Sequence, residues 1–340
     1  MRPFTYVNAA SLEDAVGAVD ASASKQAKTA AQYLAGGTTV LDLMKLDVLQ
    51  PPQLVSIRDM NADAMSKIDV SPKGLRLGAL VKMSETADHA EIKSQYPVLA
   101  QSLTLAASQQ IRNMATLGGN ILQRTRCSYY RDPSWTACNK RDPGSGCAAI
   151  GGVNRQHAIL GASDSCIATY PGDFAQALIA LDAQVEIMGE DGPKVVAFAK
   201  LHKLPADRPD VETSLKAGEL ITAIVVPAGP WTQRSVYLKI RDRDSYQFAL
   251  ASAAVALDIT DGKIQQARVA IGGVATVPWR ANAAEELLRG KTLDQPLAQA
   301  AGEAAFENAK ALKHNGFKIA LGKKTVERAL LQAAAMEVAR

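Results

Sequence analysis

The chain has 340 residues, of which 47% are hydrophobic and 21% are charged, a composition typical of a globular protein. That length is enough for two or three domains, each with a hydrophobic core. The net charge is only +4, so the composition argues against the strongly basic nucleic-acid-binding domains. The longest apolar run, from Phe248 to Leu257, is too short for the roughly 20 residues that span a bilayer.

The first half of the chain alternates predicted helices and strands. Apolar residues recur at helical spacing at Leu12, Val16 and Val19, which predicts a first helix. Short β-like segments bounded by glycine or polar residues predict strands at 32–34, 54–57, 75–77, 185–188 and 222–226. Helical periodicity with an apolar face predicts helices at 96–107 and 174–183.

After Pro227 the pattern changes to strands followed by helices. Three predicted strands, 235–240, 249–259 and 266–274, include a typical hairpin turn at Asp261-Gly262. Helical segments then continue to the end and finish with 324–338. This order predicts a smaller α+β domain, with helices on one face of a three-stranded antiparallel sheet. We place the boundary near residue 230, which divides the chain into domains 1–229 and 230–340.

All the cysteines of the chain fall within one stretch of 40 residues, at Cys127, Cys138, Cys147 and Cys166. Two disulfides would suit a small secreted domain better than a chain of this size. A structural zinc site usually contains a C-x(2–4)-C knuckle, which this stretch lacks. An iron–sulfur cluster needs four thiolates that converge in space, with less restriction on their sequence spacing.

The residues around the cysteines are mostly basic. The cations are Arg124, Arg126, Arg131, Lys140 and Arg141, and the acids are Asp132 and Asp142. Nearby cations would lower the free-energy cost of an anionic cluster, whereas the alternative is a solvated basic loop with unliganded thiols. The four histidines show no ligand spacing and none is assigned to a metal, although His157 lies within this stretch. The residues alone therefore do not decide between an iron–sulfur cluster and a zinc site.

Two glycine-bearing turns in the first half, 35–39 and 115–121, could bind a phosphate group. Consecutive glycines allow the backbone to approach an anion closely, and successive N–H groups can surround it. Neither turn matches the Rossmann or P-loop pattern, so those sites are not predicted. Each turn taken singly is also compatible with an ordinary tight turn.

Taken together, these segments resemble the FAD-binding medium subunit of the xanthine dehydrogenase family of molybdenum hydroxylases, over nearly the whole chain. The matching segments are 34–39, 110–120, 172–175, 218–221, 237–241 and 271–275. The cysteine stretch resembles more specifically the flavin subunit of bacterial periplasmic aldehyde oxidoreductases, at 122–127, 138–141, 143–149 and 166–169. In that branch an inserted loop, here at about 123–168, holds a [4Fe–4S] cluster.

The resemblance implies an α+β fold with a two-lobed FAD-binding domain of the PCMH or vanillyl-alcohol-oxidase type. A C-terminal domain of the CO-dehydrogenase-flavoprotein type would follow it. The FAD pyrophosphate would be wrapped by Leu34, Ala35, Gly36, Gly37, Thr38, Thr39, Val40 and Leu41. The diphosphate and ribityl portion would also contact Thr116, Gly118, Gly119 and Asn120.

Three more residues and the cysteines complete the implied site. Asp173 corresponds to a carboxylate near the FAD ribose, although its position also suits an N-cap of the following helix. Ile221 corresponds to an apolar residue beside the flavin ring. Lys239 corresponds to a lysine near the ring, or alternatively is a solvated strand lysine. The implied cluster ligands are Cys127, Cys138, Cys147 and Cys166.

The implied function is that of an electron-transfer subunit in a heterotrimer, with no residue of this chain assigned to aldehyde oxidation. A large subunit would carry the molybdenum cofactor and oxidise the aldehyde, and a small subunit would carry two [2Fe–2S] clusters. FAD on this chain would pass electrons to an external acceptor. The alternative is a stand-alone FAD oxidase or reductase with a structural zinc loop. The sequence shows no export signal, so we expect the periplasm if a partner carries a twin-arginine signal, and otherwise the cytoplasm.

Overall fold

The computed structural model describes residues 1–19, 30–60 and 62–338. The first lobe is a small parallel sheet in the order β1-β3-β2, with a helix after each of its first two strands. Its elements are β1 (Thr5–Asn8), α1 (Leu12–Gly17), β2 (Ala31–Leu34), α2 (Val40–Lys45) and β3 (Gln53–Ser56). The predicted strands at 32–34 and 54–57 are confirmed, and the turn 35–39 follows β2 directly.

The second lobe is an antiparallel sheet in the order β4-β5-β8-β6-β7. Its strands are β4 (Ile68–Ser71), β5 (Gly74–Gly78), β6 (Gln184–Gly189), β7 (Gly192–Ala197) and β8 (Leu220–Pro227). The helices between β5 and β6 are α3 (Met83–Asp88), α4 (Ala90–Gln95), α5 (Pro97–Thr104), α6 (Gln109–Met114), α7 (Leu117–Ile121), α8 (Ser128–Arg131), α9 (Ala148–Gly151) and α10 (Phe174–Ala180). Short 3₁₀ turns lie at Asp63–Ser66 and Phe198–Lys200.

The C-terminal domain is an antiparallel sheet in the order β12-β11-β10-β9, followed by helices. Its elements are β9 (Ser235–Ile240), β10 (Ala251–Thr260), β11 (Lys263–Gly272), β12 (Trp279–Arg280), α11 (Asn282–Leu288), α12 (Gln295–Ala305) and α13 (Phe317–Ala334). The structure adds the two-residue strand β12 to the three predicted strands. Helix α13 also begins before the predicted residue 324. Gly322 lies within this helix and packs against Phe306, and a Cβ on Gly322 would lie 2.2 Å from the Phe306 ring.

Helices cover both faces of the C-terminal sheet. Side chains of β10 alternate between two cores. Ala254 and Ala256 belong to the core of the first domain, and Val255 and Leu257 to that of the C-terminal domain. Helices α5 and α10 of the first domain contact β9, β10 and β11, and α13 also contacts β9 and β10. The two domains therefore share one buried sheet. Within the described residues, no helix is long and apolar enough to cross a membrane.

Candidate functional site

The two glycine-bearing turns line one cavity of about 220 Å³ between the lobes. The turn 35–39 follows β2 of the first lobe, and Ile221 comes from β8 of the second. Ten of the implied FAD contacts line it: Ala35, Gly36, Gly37, Thr38, Thr39, Val40, Thr116, Gly118, Gly119 and Ile221. The fold thus brings together residues that are far apart in the sequence.

Glycine is required at these turns because the backbones touch. A Cβ on Gly36 would lie 2.0 Å from the carbonyl oxygen of Met114. A Cβ on Gly118 would lie 3.0 Å from the Cβ of Ala79, and its N–H donates to the Ala79 carbonyl at 2.9 Å. Gly37 has a φ of +75°, in the left-handed region that favours glycine. Glycine at these positions therefore lets the turns pack against their neighbouring segments at the edge of the cavity.

Three other implied contacts support the cavity without lining it. Leu34 and Leu41 pack in a small core behind the first turn. The Asn120 amide nitrogen lies 3.3 Å from the sulfur of Met83, and its buried Oδ1 has no hydrogen-bond partner in the described part of the chain. An unpaired buried acceptor is costly, and a cofactor hydroxyl is the kind of donor that it lacks. Asn120 follows Gly119, which lines the cavity, and the cavity itself fits the FAD diphosphate.

A second cavity, of about 200 Å³, continues the first toward the cysteine stretch. The two cavities share five lining residues: Gln32, Tyr33, Leu122, Arg124 and Glu219. The far side of the second cavity includes Cys166, Tyr170 and His202. The two cavities therefore adjoin each other, and the second reaches one of the cysteines.

All four cysteines line one small cavity, and none is in a disulfide. Cys138 and Cys147 face each other in an isolated antiparallel bridge, and the Cys166 backbone pairs with Ser163. Burial raises the pKa of the Cys127 thiol to about 12. The cavity that the four thiols line measures about 10 Å³.

Four thiols and no other charged ligand form the donor set of an iron–sulfur cluster or a zinc ion. Among the described residues, no three His, Cys, Asp or Glu side chains are grouped as ligands of a single metal ion. In a cubane cluster each cysteine thiolate would bind a different iron. The four cysteine sulfurs would therefore surround the cluster without converging on a single metal ion. The donor set fits a cluster.

The comparisons with known proteins agree with this geometry. Residues 2–229 match the model described as FAD binding domain in molybdopterin dehydrogenase, and residues 236–338 match CO dehydrogenase flavoprotein C-terminal domain. The chain is 42% identical to the aldehyde oxidoreductase FAD-binding subunit PaoB of Escherichia coli, over 98% of this chain and 99% of that protein. The chain belongs to the FAD-binding medium subunits of the molybdenum hydroxylases. It is thus an FAD-binding oxidoreductase subunit of a multi-subunit complex.

More distant relatives have the same architecture. The glyceraldehyde dehydrogenase medium chain of Sulfolobus acidocaldarius is 26% identical, over 86% of this chain and 84% of that protein. The solved carbon monoxide dehydrogenase of Hydrogenophaga pseudoflava superposes with a TM-score of 0.75 at 24% identity, covering 98% of each chain. Quinoline 2-oxidoreductase of Pseudomonas putida gives a TM-score of 0.73 at 23% identity, over 98% and 97% of the two chains. Both structures show this fold.

Asp173 and Lys239, two residues that the family resemblance assigned to the flavin, form a buried ion pair and do not line the cavity of the glycine turns. Lys239 Nζ lies 2.7 Å from the Asp173 carboxylate and donates to the Leu105 carbonyl at 3.0 Å. The Tyr237 hydroxyl donates to the same carboxylate at 2.7 Å. Burial raises the pKa of Asp173, whereas Lys239 and Tyr237 act to lower it.

The structure decides between the alternatives for Lys239 and gives the position of Asp173. The Lys239 side chain is only 1% exposed, so it is not a solvated strand lysine. Asp173 does occupy the N-cap position of α10, but its side chain makes no capping hydrogen bond and is paired with Lys239 instead.

Four of the five basic residues of the cysteine stretch have carboxylate partners that sequence analysis missed: Arg124, Arg126, Arg131 and Lys140. Glu212, on the wall of the second cavity, pairs with Arg124 and lies 2.7 Å from Lys140. Asp42 of α2 pairs with Arg126 and Arg131, at 3.1 and 2.9 Å. These ion pairs show that the stretch is not a solvated basic loop. They attach the cysteine stretch to α2 and to the segment that carries Glu212. No local pattern could have identified Asp42 or Glu212, because both lie far from the stretch in the sequence.

Proposed function

We propose that this medium subunit is the FAD- and [4Fe–4S]-containing electron-transfer subunit of a heterotrimeric molybdenum-dependent aldehyde oxidoreductase. The observation that carries the proposal is the series of adjoining cavities from the glycine turns to the four cysteines. Its aldehyde specificity follows the name of the Escherichia coli relative.

The glycine turns would hold the FAD diphosphate, with Ile221 as an apolar wall. When bound, FAD supplies a redox centre that takes up and releases electrons singly or in pairs. The chain's own residues bind and orient it. Gly36 and Gly118 keep the turns close enough to enclose the diphosphate, and Tyr33 fixes the cavity wall by donating to the Gly218 carbonyl at 2.8 Å.

The cysteine stretch would hold the cluster on a rigid support. Arg141 donates to the carbonyl oxygens of Tyr129 and Tyr130, at 2.9 and 2.8 Å, and so fixes the turn after Cys127. Asn139 Oδ1 accepts from the N–H groups of Gly144 and Gly146, which closes the loop between Cys138 and Cys147. These contacts position three of the four thiols without using a thiol as a partner.

The partners complete the reaction. We propose a large subunit that carries the molybdenum cofactor and oxidises the aldehyde, and a small subunit with two [2Fe–2S] clusters. This chain would contribute no catalytic residue to aldehyde oxidation and would deliver electrons to an external acceptor at FAD.

The test is anaerobic co-expression of the complex, followed by flavin, iron and sulfide analysis of this chain. We expect one FAD with about four iron and four sulfide. Cys138→Ala should lose iron and sulfide and retain FAD, whereas Ser128→Ala, next to Cys127, should keep all three. Full iron in Cys138→Ala would refute the ligand assignment. Zinc without sulfide would favour the stand-alone flavoprotein with a structural metal loop.

A further inference from the structure

His157 is the histidine that contacts a cysteine of the proposed cluster site. Its Nε2 lies 3.1 Å from the sulfur of Cys127, and the residue is only 4% exposed. We propose that His157 donates a hydrogen bond to the Cys127 thiolate and thereby raises the reduction potential of the cluster. This inference rests on the proposed function, because it requires the cluster to be present.

The direction of the hydrogen bond follows from the chemistry of the two groups. A thiolate bound to iron can only accept, so the proton must lie on Nε2 of His157. A neutral imidazole then has a lone pair on Nδ1. In the described part of the chain Nδ1 is buried without a partner, and an unpaired acceptor is less costly there than an unpaired N–H.

The backbone on either side of the His157 ring is fixed from two directions. The His157 N–H donates to the Asn154 carbonyl at 3.0 Å. Asn315, fully buried between α12 and α13, donates to the carbonyls of His157 and Ala158 at 3.4 and 3.2 Å. The C-terminal domain therefore contributes to holding the ring against the sulfur.

Cys127 also lies at the boundary between two cavities. It lines the cysteine cavity and, alone among the four cysteines, a separate open cavity of about 300 Å³. His157, Arg126 and Phe248 line the same open cavity. Hydrogen bonds to sulfur and solvent access are two of the factors that set cluster potentials. The His157 ring would supply a hydrogen bond to the sulfur and would limit the access of solvent to it.

A reduced cluster carries more negative charge than an oxidised one, so an N–H donor stabilises the reduced form more. Removing the donor should therefore shift the midpoint potential to a more negative value. A purely structural role for His157 would change cluster content and leave the potential of intact clusters unchanged. The potential is thus the readout that separates the two roles.

The experiment compares His157→Leu, which removes the donor, with His157→Gln, whose amide can retain it. His314→Gln is the matched control, because His314 lies on the neighbouring turn and lines neither cavity. Each variant is purified anaerobically as the full complex, analysed for iron and sulfide, and titrated potentiometrically by EPR. We expect a more negative potential in His157→Leu, partial recovery in His157→Gln and the wild-type value in the control. A wild-type potential in His157→Leu with full iron would overturn the inference.

A second measurement needs no variant to fold. In the wild-type complex labelled with ¹⁵N-histidine, pulsed EPR of the reduced cluster should detect coupling to one histidine nitrogen. Absence of that coupling would overturn the inference even if His157→Leu fails to assemble. Failure of the proposed function looks different, since this chain, separated from its partners, would then contain no sulfide. The complex would give no [4Fe–4S] signal beside those of the two [2Fe–2S] clusters.

Discussion

The contact between Gly36 and Met114 makes the glycine turn sensitive to one methyl group. In Gly36→Ala the new Cβ would lie 2.0 Å from the Met114 carbonyl oxygen and 2.8 Å from its carbonyl carbon. Both atoms belong to the backbone, so no side-chain rotation can relieve the overlap. The turn 35–39 and the segment before Thr116 must move apart by about 1 Å to restore van der Waals contact.

Overpacking of this kind costs about 1–3 kcal/mol. We expect this penalty to be divided between the apoprotein, whose free energy of unfolding falls, and the FAD-bound form, in which bound cofactor keeps the turns from moving apart. The FAD cavity lies between the displaced turns, so binding should weaken as well. If the whole penalty falls on the FAD-bound form, the Kd for FAD rises by roughly 5- to 150-fold, at tenfold for each 1.4 kcal/mol.

The assay combines urea unfolding of the apoprotein with FAD titration by calorimetry. Gly17→Ala is the matched control, because Gly17 ends α1 and a Cβ there meets no atom of the described residues within 4 Å. That variant should bind FAD normally and gain a few tenths of a kcal/mol from higher helix propensity. If Gly36→Ala unfolds and binds FAD like the wild type, the contact does not shape the cavity and the reasoning is refuted.

Two further substitutions test buried charges. Asp173→Asn should destabilise the chain by about 3–5 kcal/mol in urea unfolding, because Lys239 would remain charged and buried. The double variant Asp173→Leu with Lys239→Met should lose much less of the free energy of unfolding. Equal losses in the two variants would refute a charge effect. Lys318 is fully buried and donates to the Gly273 carbonyl at 2.7 Å, and burial lowers its pKa from 10.5 to about 7. The unfolded chain binds the extra proton between these values, so this lysine makes stability rise with pH across that window, by up to about 5 kcal/mol. The free energy of unfolding of Lys318→Met should therefore exceed that of the wild type most at pH 7 and least near pH 10. A difference that does not depend on pH would contradict the lowered pKa of Lys318.

Local patterns predicted the elements well where each element has one buried face or a clear boundary. The turn 35–39 follows its predicted strand, and the alternating strands after Pro227 form the expected sheet. The first residues of α13 were missed because glycine disfavours a helix interior, although Gly322 in the structure makes room for Phe306. Strand β12 was missed because two residues are too few to show a period.

The composition of the site was less predictable than its location. Spacing placed the four cysteines in one stretch, but it could not show that Asp42 and Glu212 neutralise the arginines around them. Nor could it show that Lys239 meets Asp173 across the domain boundary. Each of these pairs joins segments tens of residues apart, and such contacts depend on topology, which local periodicity does not encode.

The C-terminal domain supports both proposed cofactor sites. Its sheet buries alternate side chains in the core of the FAD-binding domain, so the two domains cannot separate without exposing apolar surface. One strand places Lys239 against Asp173 at the start of α10, and the turn before α13 places Asn315 against the backbone of His157. A change in how this domain packs would therefore displace the beginning of α10 and the histidine beside Cys127 together. This coupling gives a physical reason for one chain to carry the flavin-binding lobes, the cysteine loop and the C-terminal sheet as a single folded unit.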